Sequence, residues 1–367
     1  MEKMGLIKMT NFNKNFWQGK RVLITGHNGF KGSWLCLWLQ SMKAEVFGLA
    51  LTPNLEFSLF NEAIVGDFMT STIGDIRDYK TVLQAMEKAQ PEIVFHMAAQ
   101  PLVRYSYENP IETFSTNVMG TVHLLEAARK VSTVKVVINV TTDKCYENRE
   151  WIWSYRENEP MGGYDPYSSS KGCSELITSA YRRSFYEQSG IALASARSGN
   201  VIGGGDWSKD RLIPDILRAF ERNQPVMIRN KAAIRPWQHV LDALSGYILL
   251  AEQLYENGQL YSDAWNFGPT ELDAKSVQWI VDRMVNLWGN EASWKLDENQ
   301  QAHEANFLRL DISKANKILG WTPNWNLDEA LEKVVSWHRN WLKKRNIRQV
   351  CEEQIENYET KLRINQI

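Results

Sequence analysis

The chain has 367 residues, 44% hydrophobic and 23% charged, with 42 basic and 43 acidic side chains. That length and composition allow one large or two intimate domains around a substantial core. A formal net charge of -1 excludes a global basic field for nucleic acid or an anionic membrane, so any anionic ligand must be held by local cations. Cys36, Cys145, Cys173 and Cys351 form no C-x-x-C pair, and the six histidines form no H-x-x-x-H cluster. We therefore expect a reduced, cytoplasmic protein without a structural metal. Met1 to Gln18 contains no long apolar run, so neither a signal peptide nor a membrane span is expected there. Several of the fifteen tryptophans fall in the last hundred residues, where core or interface filling is the expected use.

In chain order, Arg21-Val22-Leu23-Ile24-Thr25 reads as a short buried strand. It runs into Gly26-His27-Asn28-Gly29-Phe30-Lys31-Gly32 and an apolar helix carrying Trp34, Leu35, Leu37 and Trp38. Strand, glycine turn and helix together make a pyrophosphate cradle, because the glycines permit close backbone approach and the helix start offers free N–H groups. The spacing is G-x-x-G-x-x-G rather than G-x-G-x-x-G, and His27 stands inside the turn, where it either crowds the phosphates or donates to them. A second strand, Glu45 to Leu51, ends in Thr52-Pro53 where a ribose-binding acid is expected about 20 residues past the turn. Neither that acid nor an arginine for a 2'-phosphate is there, so these residues leave NAD and NADP open. Gly74-Asp75-Ile76-Arg77-Asp78 closes a third strand, with Asp75 placed to cap the next helix or contact an adenine. Glu92 to Gln100 is a buried strand opening into the small residues Ala98 and Ala99, which let a ligand lie close. A helix is predicted over 111–130, with Asn117 and Gly120 on the cofactor side. The fifth strand, Lys135 to Val140, runs into Thr141-Thr142-Asp143-Lys144. This alternation predicts a doubly wound parallel sheet with ligands beyond the carboxyl ends of its strands.

Tyr167 and Lys171 stand four residues apart at the head of a helical pattern, so they share one face. A phenol has a reference pKa of about 10, and a neighbouring ammonium favours its phenolate. Tyr167 is then a candidate base for a substrate hydroxyl. A bare Y-x-x-x-K is common by chance, and its meaning comes from what surrounds it. Thr25-Gly26-x-x-Gly29-Phe30-x-Gly32, His96-Met97-Ala98-Ala99, Asn117-Val118-x-Gly120-Thr121 and Tyr167-x-x-x-Lys171, in this order, resemble the extended short-chain dehydrogenase/reductase family. The resemblance continues through Arg197 to Trp207, Arg211 to Asp215, Arg235 to Val240 and Leu319-Gly320-Trp321-x-Pro323, leaving out the first 18 and about the last 20 residues. Within that family, epimerases resemble Ser-Ser-Ala after the fifth strand and dehydratases Thr-Asp-Glu. Thr142-Asp143-Lys144, the Gly-His-x-Gly-Phe-Lys-Gly turn and the Arg-Pro-Trp-Gln-His-Val run are similar to the branch of 4,6-dehydratases acting on CDP-glucose, which opens routes to 3,6-dideoxysugars.

The resemblance implies NAD as cofactor, CDP-glucose as substrate, and neither nucleic acid nor membrane as partner. Gly26, His27, Asn28, Gly29, Phe30, Gly32, Asp75, Ile76, Ala98, Ala99, Gln100, Asn117, Tyr167 and Lys171 are the expected cofactor residues. Thr142, Asp143, Lys144, Tyr167 and Lys171 are the expected catalytic ones. Oxidation at C4 needs one base, Tyr167, whereas loss of water across C5 and C6 needs a second base and an acid. By resemblance Asp143 is the acid, Thr142 bonds the 4-oxygen, and Lys144 is the C5 base, unless Tyr167 serves both proton transfers. Adjacent opposite charges on Asp143 and Lys144 favour the wrong protonation states for these roles. Arg211 and Arg235 are the expected diphosphate cations, joined by Asn200 and Arg104, with Trp237 walling the base or ordering a loop.

The expected architecture is a Rossmann-type doubly wound parallel sheet over 19–200 plus 238–267, with a smaller, mostly helical C-terminal nucleotide-sugar domain over 201–237 plus 268–367. Helices around 111–130 and 165–188 are apolar on more than one face, and the family pairs such helices across a homodimer. Rival readings keep part of the pattern. A nucleotide-sugar 4-epimerase leaves Asp143 and Lys144 without a task, a 4,6-dehydratase for a dTDP, UDP or GDP sugar differs only in its base, and an NAD-binding regulator has no use for Tyr167.

Overall fold

Strands that are apolar on both faces require cover on both faces, and here that requirement builds the larger unit. The computed structural model describes residues 13–53, 57–289, 292–297 and 307–364. Strands β1 (Arg21–Thr25), β2 (Glu45–Ala50), β3 (Thr70–Ile73), β4 (Ile93–His96), β5 (Val136–Val140) and β6 (Ala192–Ser198) lie in the order 3-2-1-4-5-6. Every pairing is parallel, as in Val22 with Val46 and with Ile93. β4 and β5 are buried along their whole length, which explains their uninterrupted apolar spelling.

The helices of ten or more residues are numbered in chain order: α1 (Phe30–Ser41), α2 (Tyr79–Ala89), α3 (Gly120–Lys130), α4 (Pro166–Tyr181), α5 (Leu212–Glu221), α6 (Val240–Asn257), α7 (Val277–Trp288), α8 (Leu327–Leu342) and α9 (Ile347–Ile364). On one face of the sheet α2 and α3 bury Val82, Met86, Leu124 and Leu125. On the other, α1 and α6 share a core with Trp34, Trp38, Leu244 and Tyr247, to which Ile355 and Tyr358 of α9 also belong. The helix predicted over 111–130 starts at Pro110 and contains a π turn, Ser115–Met119, before α3. Such a wide turn re-aims the side chains it carries, Asn117 among them.

A smaller unit stands beyond the carboxyl ends of the strands. It contains β7 (Asn200–Ile202), β8 (Val226–Ile228), β9 (Ile234–His239), β11 (Ala274–Ser276) and β12 (Trp294–Leu296), while β10 (Ala264–Phe267) returns to pair with β6 as the seventh strand of the large sheet. β9 pairs parallel with β7 and antiparallel with β11, and β8 pairs with β12. Helices α5, α7 and α8 close its core around Ile216, Trp237, Ile280 and Leu331. The sheet order reverses between β1 and β4, the place where doubly wound sheets leave a crevice for ligands. Among the described residues no helix is long and apolar enough to cross a membrane, and no three metal-ligating side chains come together.

Candidate functional site

The glycine turn between β1 and α1 is built for close approach. Gly26 has φ +72°, and a Cβ there would stand 2.8 Å from the backbone of Ala98; a Cβ on Gly32 would stand 2.2 Å from the carbonyl of Gly26. Gly29 begins α1 without a side-chain cap, so the N–H groups of the first turn are left for a ligand. Thr25 supports the arrangement from below, its hydroxyl accepting from the backbone N–H groups of Met97 and Ala98 at 3.1 and 3.2 Å. These features fit the pyrophosphate of a dinucleotide, whose charge the bare helix start and close backbone would receive.

Not every residue of the turn faces that space. His27 turns its imidazole into the protein, where Nε2 lies 2.7 Å from the Ser71 hydroxyl and the ring packs on Phe60. The expectation that it crowds or contacts phosphates is corrected: Gly48 opens the hole, since a Cβ there would meet the ring at 2.3 Å. Burial holds His27 neutral, its pKa lowered to about 4. Asn28 spends its amide on the Leu51 carbonyl at 2.7 Å. Asp75 does not cap α2 either. Asp78 does, accepting from the Lys80 N–H and the Thr81 hydroxyl, while Asp75 takes the Arg77 guanidinium through two nitrogens. Ile76 is buried against Gly120, where a Cβ would come within 2.5 Å of it. Asn117 is used internally: its oxygen accepts from the Gln100 N–H at 2.8 Å, and its nitrogen donates to the Gln100 carbonyl and the Ser170 hydroxyl. It thereby ties the Ala98-Ala99-Gln100 loop to α4.

Between the two units lies a cavity of about 310 Å³. Thr142, Asp143, Lys144 and Tyr167 line it, as do Arg104, Asn200, Arg211, Arg235 and Trp237. Phe30 reaches the same cavity from the glycine turn. The Thr142 hydroxyl donates to Asp143 Oδ1 at 2.9 Å, and Asp143 Oδ2 is buried without a hydrogen-bond partner among the described residues. Gly199 leaves room for that carboxyl, since a Cβ there would stand 3.1 Å from Oδ2. Tyr167 lies in the first turn of α4, capped by Asp165, whose carboxylate accepts from the Ser168 N–H at 2.9 Å. Lys171 lies behind the cavity wall, donating to the Val140 carbonyl at 3.3 Å. One turn further on, Glu175 forms a buried pair with Arg197 at 2.7 Å and accepts from the Thr141 and Ser195 hydroxyls. This clamp fixes the end of β5 that carries the Thr142-Asp143-Lys144 triplet.

Burial dominates the electrostatics. It raises Asp143 above the ordinary carboxyl range despite Lys144, the Thr142 hydroxyl and Arg235, all of which pull the other way. Desolvation thus outweighs the adjacent ammonium that, on sequence, favoured the charged form. Burial also lowers Lys171 to about 8 and raises Tyr167 to about 12, with Thr142 and Arg211 opposing the latter. The expected depression of Tyr167 by Lys171 is absent, because that ammonium bonds the backbone of β5 rather than the phenol. Motif reading missed Lys31. It lines the cavity 3.5 Å from the Ser198 hydroxyl, and burial, with Lys171 and Arg211 near, lowers it to about 7. Arg229, Asp210 and Asp215 were missed as well, and they too line the cavity. Lys31 and Asp215 each carried a signal, since they stand inside the glycine turn and the Arg211 to Asp215 run; Arg229 and Asp210 belong to no motif.

Sequence relatives and structural neighbours point to one family. The profile of the GDP-mannose 4,6 dehydratase family matches residues 23–334. The chain is 60% identical over 351 residues to the CDP-glucose 4,6-dehydratase of Salmonella typhimurium, covering 94% of this chain and 98% of that protein. An epimerase of Methanothermobacter thermautotrophicus superposes with a TM-score of 0.77 at 24% identity, over 92% of this chain and 96% of that one. The dTDP-glucose 4,6-dehydratase of Streptomyces venezuelae, solved with NAD, superposes with a TM-score of 0.75 at 23% identity, over 89% and 98%. These two structural likenesses bear on the fold, which they share with the seven-stranded parallel sheet seen here.

Proposed function

Because the chain belongs to the GDP-mannose 4,6 dehydratase family, within the extended short-chain dehydrogenases/reductases, we propose that it dehydrates CDP-glucose to CDP-4-dehydro-6-deoxyglucose with NAD as cofactor. The observation that carries this reading is the 60% identity to a CDP-glucose 4,6-dehydratase over nearly the full length of both chains. The cavity supports it, since Tyr167, Thr142, Asp143 and Lys144 all line it. The glycine turn of Gly26, Gly29 and Gly32 would hold NAD, which would supply a hydride acceptor for C4 and a hydride donor for C6.

The residues of the chain do the rest. Tyr167 takes the proton of the 4-hydroxyl, with Thr142 and Arg211 favouring its phenolate against the burial that raises it to about 12, and Thr142 hydrogen-bonds the 4-oxygen as it becomes a carbonyl. The ketone acidifies the C5 proton, which Lys144 or Tyr167 removes. Asp143, kept neutral by burial, gives its proton to the departing 6-hydroxyl. Lys171 holds the end of β5 through the Val140 carbonyl. Arg211 and Arg235 receive the diphosphate, with Asn200 and Arg104 beside them. Exposed Ile111, Phe114, Leu176 and Phe185 on the 110–114 helix, α4 and its continuation support a homodimer paired through those helices. A reduced, cytoplasmic setting agrees with four unpaired cysteines.

Deuterium at C4 of CDP-glucose tests the reaction. The label should reappear at C6 of a 4-keto-6-deoxy product, within one turnover and without release to free dinucleotide. Label returned to C4 with inverted configuration would mean an epimerase instead.

A further inference from the structure

The wall that the smaller unit contributes to the cavity carries charges that catalysis leaves unused. Asp215, in the first turn of α5, and Arg229, just past β8, both line it, together with the apolar Ile213, Val226 and Ile228. One oxygen of Asp215 takes the guanidinium of Arg218, which is itself held by the carbonyls of Trp207 at 3.0 Å and Ser208 at 3.3 Å. The other oxygen is 3.9 Å from Arg229, too far for a hydrogen bond. Arg229 in turn is 3.6 Å from Asp210, also beyond that range. The outcome is a carboxylate fixed on one side and able to accept on the other, next to a guanidinium that stands beyond hydrogen-bond range of both Asp210 and Asp215.

With the sugar of a nucleoside diphosphate sugar at Thr142 and Tyr167 and its diphosphate at Arg211 and Arg235, this wall is free to receive its base. Cytosine offers the N4 amino donor beside the acceptors N3 and O2, whereas uracil and thymine offer an O4 acceptor and an N3–H donor in those places. We propose that Asp215 accepts from the N4 amino group while Arg229 donates to N3 and O2, so that this pair selects cytosine over uracil and thymine. Facing either of the other pyrimidines, the carboxylate would meet O4 and the guanidinium would meet N3–H, two like-polarity contacts in a partly buried site. The inference rests on the nucleotide-sugar reading above and sharpens it.

The test is a comparison of CDP-glucose with UDP-glucose, in kcat/KM for the NAD-loaded enzyme and in direct titration with CDP and UDP. Asp215→Asn, whose amide can donate to O4, should cut the preference for the cytidine nucleotide by about tenfold to a hundredfold, chiefly through KM. The titrations should show the same change in binding. Arg229→Met should narrow the preference as well, and it carries the test if Asp215→Asn does not fold. Wild-type enzyme with no cytidine preference would overturn the substrate reading itself. A preference that is present in wild type and unchanged in both variants, or affinities for CDP and UDP that fall equally, would overturn this inference alone.

Discussion

Asp143 sits where two requirements oppose each other, and desolvation decides between them. Acid catalysis needs a carboxyl that still holds its proton near neutrality, while Lys144 and Arg235 favour its loss. Complete enclosure and an oxygen with no partner among the described residues tip the balance toward the neutral form. A neutral carboxyl is close in shape and polarity to an amide, so Asp143→Asn should change folding stability by no more than about 1 kcal/mol. An amide has no proton to give the leaving hydroxyl, so dehydration should fall by about 10²–10⁴ while oxidation at C4 continues. Stopped-flow absorbance would then show reduced nicotinamide accumulating with no 4-keto-6-deoxy product. Loss of the oxidation signal along with the product would remove Asp143 from the elimination step.

At the scale of elements, α4 brings the sequence pattern and the geometry together. Spacing alone foretold that Tyr167 and Lys171 share a face, and both are buried on it. What spacing could not foretell is where each side chain spends its polar atoms. Lys171 turns to the backbone of β5 because Val140 ends within its reach. His27 turns away from the crevice because a glycine in the neighbouring strand β2 makes room for it. Arg229 escaped notice because it belongs to no motif, and Asp215, although it ends the Arg211 to Asp215 run, because only the folded cavity brings it opposite Arg229. The alternation of strand and helix was legible because each parallel strand must be covered on both faces and writes that need into consecutive residues. The first turn of α4 depends on its cap in the same local way. Asp165→Ala frees the N–H and hydroxyl of Ser168 and should cost about 1 kcal/mol. It should also slow turnover several-fold, because Tyr167 lies in the turn that frays. Asp165→Asn should recover most of both in thermal melts and steady-state rates; an alanine variant with unchanged rates would mean that packing alone holds Tyr167.

The segment leading into α8 and the terminal helix α9 are tied to α6 by a buried acid outside the cavity. Asp242, in the first turn of α6, accepts from the Asn324 N–H at 2.6 Å, the Trp325 N–H at 3.4 Å and the Tyr358 hydroxyl of α9 at 2.7 Å. Its second oxygen has no hydrogen-bond partner among the described residues. Burial overrides the three donors and raises its pKa to about 7. A carboxyl whose pKa is higher in the folded chain than in the unfolded one stabilises most below the unfolded value, and that contribution is lost as pH rises through about 7. Buried His27, His96 and His239, with pKa values lowered to about 4, 3 and 3, act in the opposite direction, losing stability as pH falls below their unfolded value. The wild-type profile therefore mixes both signs, and a difference measurement separates them. Asp242→Asn keeps an acceptor for the three donors and cannot ionise. From about pH 5 to about pH 8, its stability relative to wild type should rise by on the order of 3 kcal/mol, since a tenfold change in a proton's affinity is worth about 1.4 kcal/mol. Urea unfolding of both proteins across that range measures the gap. If the two profiles run parallel, Asp242 is ionised in the native protein, and the joint between α6 and α9 is held by a charge rather than by a neutral acid.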